Sequence, residues 1–472
     1  MKKILTAALC LLISLGAQAR KSDNPDFAPF YKYRVYLKDK KNSDFSIRHP
    51  EQFLSQKAIE RRKRQGLKIT ESDLPVSKKY LDEVANCGVE LLHCSKWNNT
   101  VLVQTSDTTL MDKVLALPCV TSIRKVATYT SPIPTPDPDR QSLVKGSGAD
   151  PQTSSFLEGL QSDLTDRHMN NSYKYGKAYN QIKMLNGIEL HEQGYRGQGM
   201  TIAIIDGGFH NADVIPYFKN VNILGFKDFA LKGGDVFGEE EHGTMVLSCI
   251  GANCRGKIIG TAPEASFWLL RSEDGHSEQM VEEDNWCAAI EFADSVGVDV
   301  VNTSLGYTVF DNTADNVRYW EQDGHTRMIS NSASMAASKG MVLCQSAGNE
   351  GDELWKRIGC PADACDILAV GALQPDRRNT NFSSIGNSYD GRIKPDVCAQ
   401  GQSCCVIDKY GDITTASGTS FSSPILCGMV ACYWQAHPNL TALQVMESIR
   451  KSGDNAEHPD NVFGYGVPDF MK

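Results

Sequence analysis

The chain has no excess of positive charge, no long apolar run past its first residues and no glycine-rich phosphate loop. Each absence removes a class of function. The 472 residues carry 57 acidic and 48 basic side chains, a net charge of −9. That balance lacks the basic footprint of a nucleic-acid binder and the polybasic patch of a membrane-surface protein. Beyond the first fifteen residues no apolar stretch reaches the roughly 18 residues that a bilayer span needs, so no transmembrane segment is expected. No G-x-G-x-x-G follows a strand-like run, which argues against nucleotide chemistry. No C-x-x-C or Cys/His spacing suggests zinc, and there are no internal repeats. No cofactor and no metal are expected.

What is present begins with a leader. Lys2 and Lys3 precede an apolar run over 4–15, followed by Ala17-Gln18-Ala19. This is the layout of a cleavable export signal over 1–19 and predicts a secreted or periplasmic protein; an uncleaved N-terminal anchor is the alternative. Cys10 lies in the apolar run without a lipobox before it, which disfavours a lipid anchor. Export permits disulfides. Of the 15 cysteines, Cys360 and Cys365 flank a short loop and are one candidate pair. Cys249, Cys287 and Cys344 sit in apolar segments, where a free thiol acts as a small hydrophobe.

The length predicts two domains. Residues 28–130 read as a small α+β unit, with strands at 33–37, 100–104 and 120–125 and helices at 50–65 and 110–115. The basic run Arg61-Arg62-Lys63-Arg64 ends the first helix. It reads as a solvated face, with a processing site as the lesser alternative. Residues 131–166 are rich in Pro, Gly and Ser and read as a linker. Residues 167–472 alternate strands (201–205, 266–270, 298–302, 341–345, 367–370) with helices (242–252, 280–295, 332–339, 420–436, 441–450). The last helix carries a capping box, Thr441 with Gln444. The alternation predicts an α/β domain, a parallel sheet with helices on both faces. Such sheets bind ligands at the carboxyl ends of their strands. No anchoring or sorting module is expected after Asp469.

Four residues carry candidate chemistry. Asp206 ends an apolar strand, at the mouth of the sheet; alone it could be a turn residue. His242 opens a helix whose apolar face repeats at Met245, Val246, Cys249 and Ile250; alone it reads as a buried histidine. Ser420 sits at a helix start, where unpaired N–H groups favour developing negative charge; alone it reads as a cap. Asn349, in Gly348-Asn349-Glu350-Gly351 after a later strand, can donate an amide to an oxyanion; alone it is a good turn. Together, in the order Asp, His, Ser, they form an acyl-transfer kit. Two other classes stay open: a catalytically silent binding protein, and a phosphotransfer enzyme built on Asp206.

From about Tyr179 to Phe470 the sequence resembles the subtilase family of serine peptidases. The resemblance rests on Ile204-Ile205-Asp206-Gly207-Gly208, His242-Gly243-Thr244, Ser304-Leu305-Gly306, Ala347-Gly348-Asn349-Glu350-Gly351, Lys394-Pro395-Asp396-Val397 and Gly418-Thr419-Ser420. It implies a subtilisin-like fold over 167–472, a catalytic triad of Asp206, His242 and Ser420, and an oxyanion donor in Asn349. It further implies that Ser304, Leu305 and Gly306 pair with the substrate backbone and that Gly348 and Gly359 line the primary specificity pocket, with Glu350 at its rim. The expected partners are protein or peptide substrates, and the protein's own propeptide, the 28–130 unit, as inhibitor of a zymogen. Three departures stand out. Met245 replaces a usual histidine, Ala399-Gln400-Gly401 replaces Ala-Pro-Gly, and a longer segment before Met341 carries Asp323-Gly324-His325-Thr326, expected beside the cleft. Residues 252–256 fall where relatives hold calcium but have few oxygen-bearing side chains, so no metal is expected there.

Overall fold

The computed structural model describes residues 27–41, 43–131 and 171–472. The leader expected over 1–19 and nearly all of the 131–166 linker lie outside these residues.

The N-terminal unit runs β1 (Phe30–Leu37), α1 (Gln56–Arg64), α2 (Lys78–Ala85), β2 (Glu90–Ser95), β3 (Thr100–Thr105), α3 (Leu110–Leu115) and β4 (Val120–Tyr129). Its sheet has the order β2-β3-β1-β4. Val35 of β1 faces Val101 of β3 on one side and Ile123 of β4 on the other, both antiparallel. Valine dominates the core, with Val35, Val84, Val101, Val103 and Val114 beside Leu37 and Met111. β-Branched side chains fit such a half-covered pleated surface. The helix expected over 50–65 is broken: a 3₁₀ turn at Pro50–Gln52 precedes α1, and Ser55 Oγ caps α1 by accepting from Ala58 N at 3.1 Å. Strand β2 and helix α2 were not expected. A register shift between Leu91 and His93 interrupts the alternation that would reveal β2.

The second unit opens with α4 (Asn171–Tyr175), α5 (Tyr179–Lys183) and α6 (Gly187–Glu192). It continues with β5 (Thr201–Asp206), β6 (Asn222–Asp228), α7 (His242–Gly251), β7 (Asn253–Cys254), β8 (Ile258–Ile259) and β9 (Ser266–Arg271). Next come α8 (Val281–Val296), β10 (Val300–Thr303), α9 (Met328–Met335), β11 (Val342–Ser346), β12 (Leu368–Leu373) and β13 (Val397–Gln400). A hairpin, β14 (Cys404–Ile407) and β15 (Ile413–Ala416), leads into α10 (Thr419–Ala436) and α11 (Ala442–Ser452). Seven strands form one sheet in the order β13-β12-β11-β10-β5-β9-β6, and every pairing in it is parallel. Alternate residues of β5 go to opposite faces. Ile202 and Ile204 pack with Val246 of α7 and Leu426 of α10, whereas Ala203 and Ile205 pack with Trp286 of α8 and Ile329 of α9. Helices therefore cover both faces, as the alternation predicts. Edge strand β6, half exposed and partly polar, was not expected, nor were β13 and the hairpin. The helix expected at 332–339 starts earlier, at Met328, and ends in a 3₁₀ turn at Ala337–Lys339.

Helix α8 is also the dock for the N-terminal sheet. Arg34 meets Asp284 through two bonds, of 2.7 and 2.6 Å. Glu291 accepts from Ser95 Oγ and Lys96 N at 2.5 Å and from Trp97 N at 3.0 Å. Asp294 accepts from Arg61 at 2.5 Å, Arg62 at 2.9 Å and Lys96 at 3.2 Å. The solvated face expected of Arg61-Arg62-Lys63-Arg64 holds for Lys63 and Arg64, which are exposed, and is corrected for Arg61 and Arg62, which are 2% and 1% exposed. They tolerate burial because a carboxylate meets each guanidinium, and Asp73, 2.7 Å from Arg62, completes the set.

The candidate disulfide is corrected too. All fourteen cysteines from Cys87 to Cys432 are free thiols. Cys360 is fully buried, whereas Cys365 Sγ lies 3.6 Å from His325 Nε2. Cys249, Cys287 and Cys344 are buried as expected.

Candidate active site

Three neighbouring strands, β5, β10 and β11, deliver the candidate residues at their carboxyl ends. Asp206 ends β5, Ser304 follows β10, and Gly348-Asn349 follows β11. Chain order reverses direction across the sheet between β5 and β10, the position where open α/β sheets form a crevice.

Asp206 is 1% exposed. Its Oδ1 accepts from Gly207 N and stands 2.8 Å from His242 Nδ1. Its Oδ2 is buried without a hydrogen-bond partner among the described residues. His242 is the first residue of α7. The helix start is pressed onto the loop after β5 by a bond from Gly243 N to Gly208 O at 2.9 Å. Position 243 must be glycine, because a Cβ there would stand 2.3 Å from Gly208 O. Burial alone would lower the His242 pKa, but the Asp206 carboxylate, with Glu240 and Glu273 behind it, raises it above the ordinary imidazole value.

Ser420 lies in the first turn of α10, so its N–H is one of the four that a helix leaves unpaired at its start. The Phe421 ring packs on His242 with centroids 5.8 Å apart. Ser304 Oγ donates to Ser420 O at 2.9 Å, and Ser420 Oγ donates to Ser304 O at 3.1 Å. No bond joins Ser420 Oγ to His242 among the described residues. Asn349 is held by its carbonyl end: Oδ1 accepts from Thr419 N at 2.9 Å and Thr419 Oγ1 at 3.0 Å. That grip fixes which end of the amide is left to donate.

Ser304, Leu305, Gly306, Gly348, Asn349, Glu350, Gly359 and Ser420 together line one cavity of about 70 Å³. Every residue proposed for substrate contact is therefore in one place. Glu350 reaches into it with Oε2 accepting from Ser384 Oγ at 2.6 Å, and burial raises its pKa. Gly348, at φ +114, could not carry a side chain, since a Cβ would stand 2.4 Å from Glu350 Oε2. The 323–326 segment does not line this cavity. Its Asp323 folds back on Thr326 N at 2.7 Å, and Gly324 N reaches Asp363. Met245 packs on the core, and Gln400 accepts from Asn180 at 2.8 Å, so both departures have structural roles.

Sequence reading missed Glu240 and Glu273, which flank Gly207 beside Asp206. Glu273 accepts from Tyr307 OH and is pushed up to about 7, first by burial. The available signal was position: Glu273 follows the end of β9, next to β5.

Residues 197–466 match the profile of the subtilase family, Peptidase S8. The chain belongs to the subtilase family. It is a serine endopeptidase, and residues 32–141 match the S8 propeptide domain of Bacteroidota. It is 28% identical over 307 residues to Subtilisin NAT of Bacillus subtilis subsp. natto, covering 64% of this chain and 72% of that one. It is 29% identical to Serine protease AprX of Bacillus subtilis (strain 168), covering 57% and 65%. Among solved structures, MycP1 from Mycobacterium smegmatis aligns with a TM-score of 0.50 at 21% identity over 65% of this chain and 86% of that one, a likeness of fold.

Proposed function

We propose that this subtilase is exported as a zymogen and hydrolyses protein or peptide substrates through an acyl-enzyme on Ser420. The observation that carries the reading is His242 Nδ1 at 2.8 Å from a buried Asp206 carboxylate, with Phe421, the residue after Ser420 at the helix start, packed on the same imidazole. In the proposed reaction the Ser420 hydroxyl swings from Ser304 O to His242 Nε2 and attacks the scissile carbonyl as His242 takes its proton. Asp206 fixes the tautomer with Nδ1–H towards itself and stabilises the imidazolium. Asn349 Nδ2 and the Ser420 N–H bind the oxyanion. His242 then protonates the leaving amine, and water, activated by the same histidine, clears the ester. Ser304, Leu305 and Gly306 would hold the substrate backbone, and Gly348 and Gly359 the residue before the scissile bond. The bonds from Ser95, Lys96 and Trp97 to Glu291 support retention of the propeptide as an inhibitor. The leader supports a secreted or periplasmic site, and among the described residues no helix is long and apolar enough to cross a membrane.

Expression of the full chain beside Ser420→Ala tests this. The wild type should lose its N-terminal unit by N-terminal sequencing and take a fluorophosphonate label on Ser420. The variant should do neither. A wild type that stays unlabelled after propeptide removal would return the chain to the silent class.

A further inference from the structure

A second cavity lies away from the reaction centre. It encloses about 510 Å³ and is lined by Tyr319, Trp355, Lys356, Arg357, Asn387 and their neighbours. Nothing in the proposed reaction uses it. Its chemistry is sharply mixed. The Arg357 guanidinium lies over the Tyr319 ring, 4.1 Å from the centroid. Neither Arg357 nor Lys356 has a carboxylate partner among the described residues. Trp355 is pinned by Nε1 donating to Ile358 O at 3.2 Å, and Tyr319 OH donates to Asn387 O at 3.4 Å. The walls are therefore fixed, while two cations have no carboxylate among the described residues.

A ligand that suits these walls carries a carboxylate for Arg357 and Lys356 and a stem that lies along the two aromatic rings. A guanidinium stacked on an aromatic ring is preorganised for a two-point bond to a planar carboxylate. An acidic peptide has both, and a cavity of about 510 Å³ has room for several of its side chains; a lone anion lacks the stem. The cavity also shares a wall with the cleft. Ile358 N donates to Ile385 O at 2.9 Å, and the next residue, Gly359, lines the small pocket beside Ser420.

We propose that this cavity binds an acidic segment of the substrate, outside the residues that occupy the cleft. The proposal rests on the peptidase reading above, so its test is a binding measurement that needs no turnover. A fluorescein-labelled peptide rich in Glu is titrated, by anisotropy, into the full-length Ser420→Ala chain, beside its Gln-substituted counterpart. The acidic peptide should bind at least about 10-fold more tightly, the worth of one charge-assisted pair. Arg357→Gln should remove that preference, Arg357→Lys should keep part of it, and both variants should melt like the parent. Equal binding of the two peptides, or an unchanged preference in Arg357→Gln, overturns the proposal. Full displacement of the peptide by millimolar acetate alone overturns the peptide assignment in favour of a small-anion site. Failure of Ser420 to react with the fluorophosphonate would sink the peptidase reading and leave this binding result intact.

Discussion

Two acidic regions of the same domain treat their charge in opposite ways. On the face of α8, Asp284, Glu291 and Asp294 are each met by a cation or by N–H and O–H donors of the N-terminal unit. Beside Asp206, the carboxyl of Glu240 has no ion pair or hydrogen bond among the described residues, and Glu273 has only the hydroxyls of Tyr307 and Ser272. Matched charge holds two surfaces together. Unmatched charge sets a potential, and here it acts on His242. The N-terminal unit needs the first kind because its own valine core is small, and a domain of about 100 residues leaves much of its surface uncovered. Its association with α8 is thus an electrostatic contract that pH can weaken.

The largest effect should come from breaking that match. Asp294 is completely buried between Arg61, Arg62 and Lys96. Asp294→Ala strands the buried Arg61 guanidinium and leaves Arg62 with Asp73 alone, a loss of about 3–5 kcal/mol for a broken buried pair. The propeptide fragment should then inhibit the mature variant at least a hundredfold more weakly, measured as an inhibition constant. Unchanged inhibition would mean that the apolar contacts, not the charges, hold the unit in place.

Next in size is the donor proposed for the oxyanion. Asn349→Ala removes the amide that Thr419 holds in place and should lower turnover by about 10²–10³-fold with little change in KM. A variant of unchanged turnover would remove Asn349 from the oxyanion site.

These two regions were not equally legible in the sequence. Asp206, His242, Asn349 and Ser420 were readable because each sits at the end of an apolar strand or the start of an apolar helix, and such positions converge at one edge of a parallel sheet. The both-sided burial of β5 made the sheet readable for the same reason. The docking face was not. Arg61 and Arg62 look like any basic helix end, because the carboxylate that neutralises them is more than two hundred residues away. Strands β2 and β6 were hidden by a register shift and by an exposed, partly polar edge. Cys360 and Cys365 are close in sequence, but their side chains have different surroundings. Pairings set by tertiary contact leave no local pattern.

The matched region should also respond to pH in a definite direction. Burial under the propeptide pushes Glu291 up to about 7, against the pull of Lys96 and the donors from Ser95, Lys96 and Trp97. Released, it returns to the ordinary carboxylate range near 4.3. A group whose pKa is higher when docked favours docking in its protonated form. The contribution is full below about pH 4, weakens as pH rises towards 7, and is constant above. Asp294 works the other way: burial would raise it, but Lys96, Arg62 and Arg61 hold it well below the usual range. Its contribution is present above pH 4 and lost as pH falls below. Inhibition by the fragment should therefore be tightest near pH 4–5 and weaken by up to about tenfold per pH unit towards 7. Glu291→Gln should flatten that slope. A slope that survives the substitution would assign it to another group.

The smallest effect lies in the unmatched region, and it separates potential from contact. Glu240 has no hydrogen bond to lose among the described residues, so Glu240→Gln changes charge with little change in shape. The His242 imidazolium is stabilised by Asp206 first and then by Glu240 and Glu273. In the proposed reaction activity needs the neutral imidazole, so it falls as pH drops through the His242 pKa. With the Glu240 charge removed the imidazolium loses support, its pKa falls, and the acid limb of kcat/KM should move to lower pH. Glu273, at about 7, ionises in the same window, so the wild-type limb should be shallower than a single titration. Glu240 is exposed and its effect on His242 runs partly through solvent, so the displacement should shrink at about 1 M salt, where the screening length is near 3 Å. A limb that does not move at low salt would mean that Asp206 alone sets the histidine, and that the surrounding carboxyls serve some purpose other than the base.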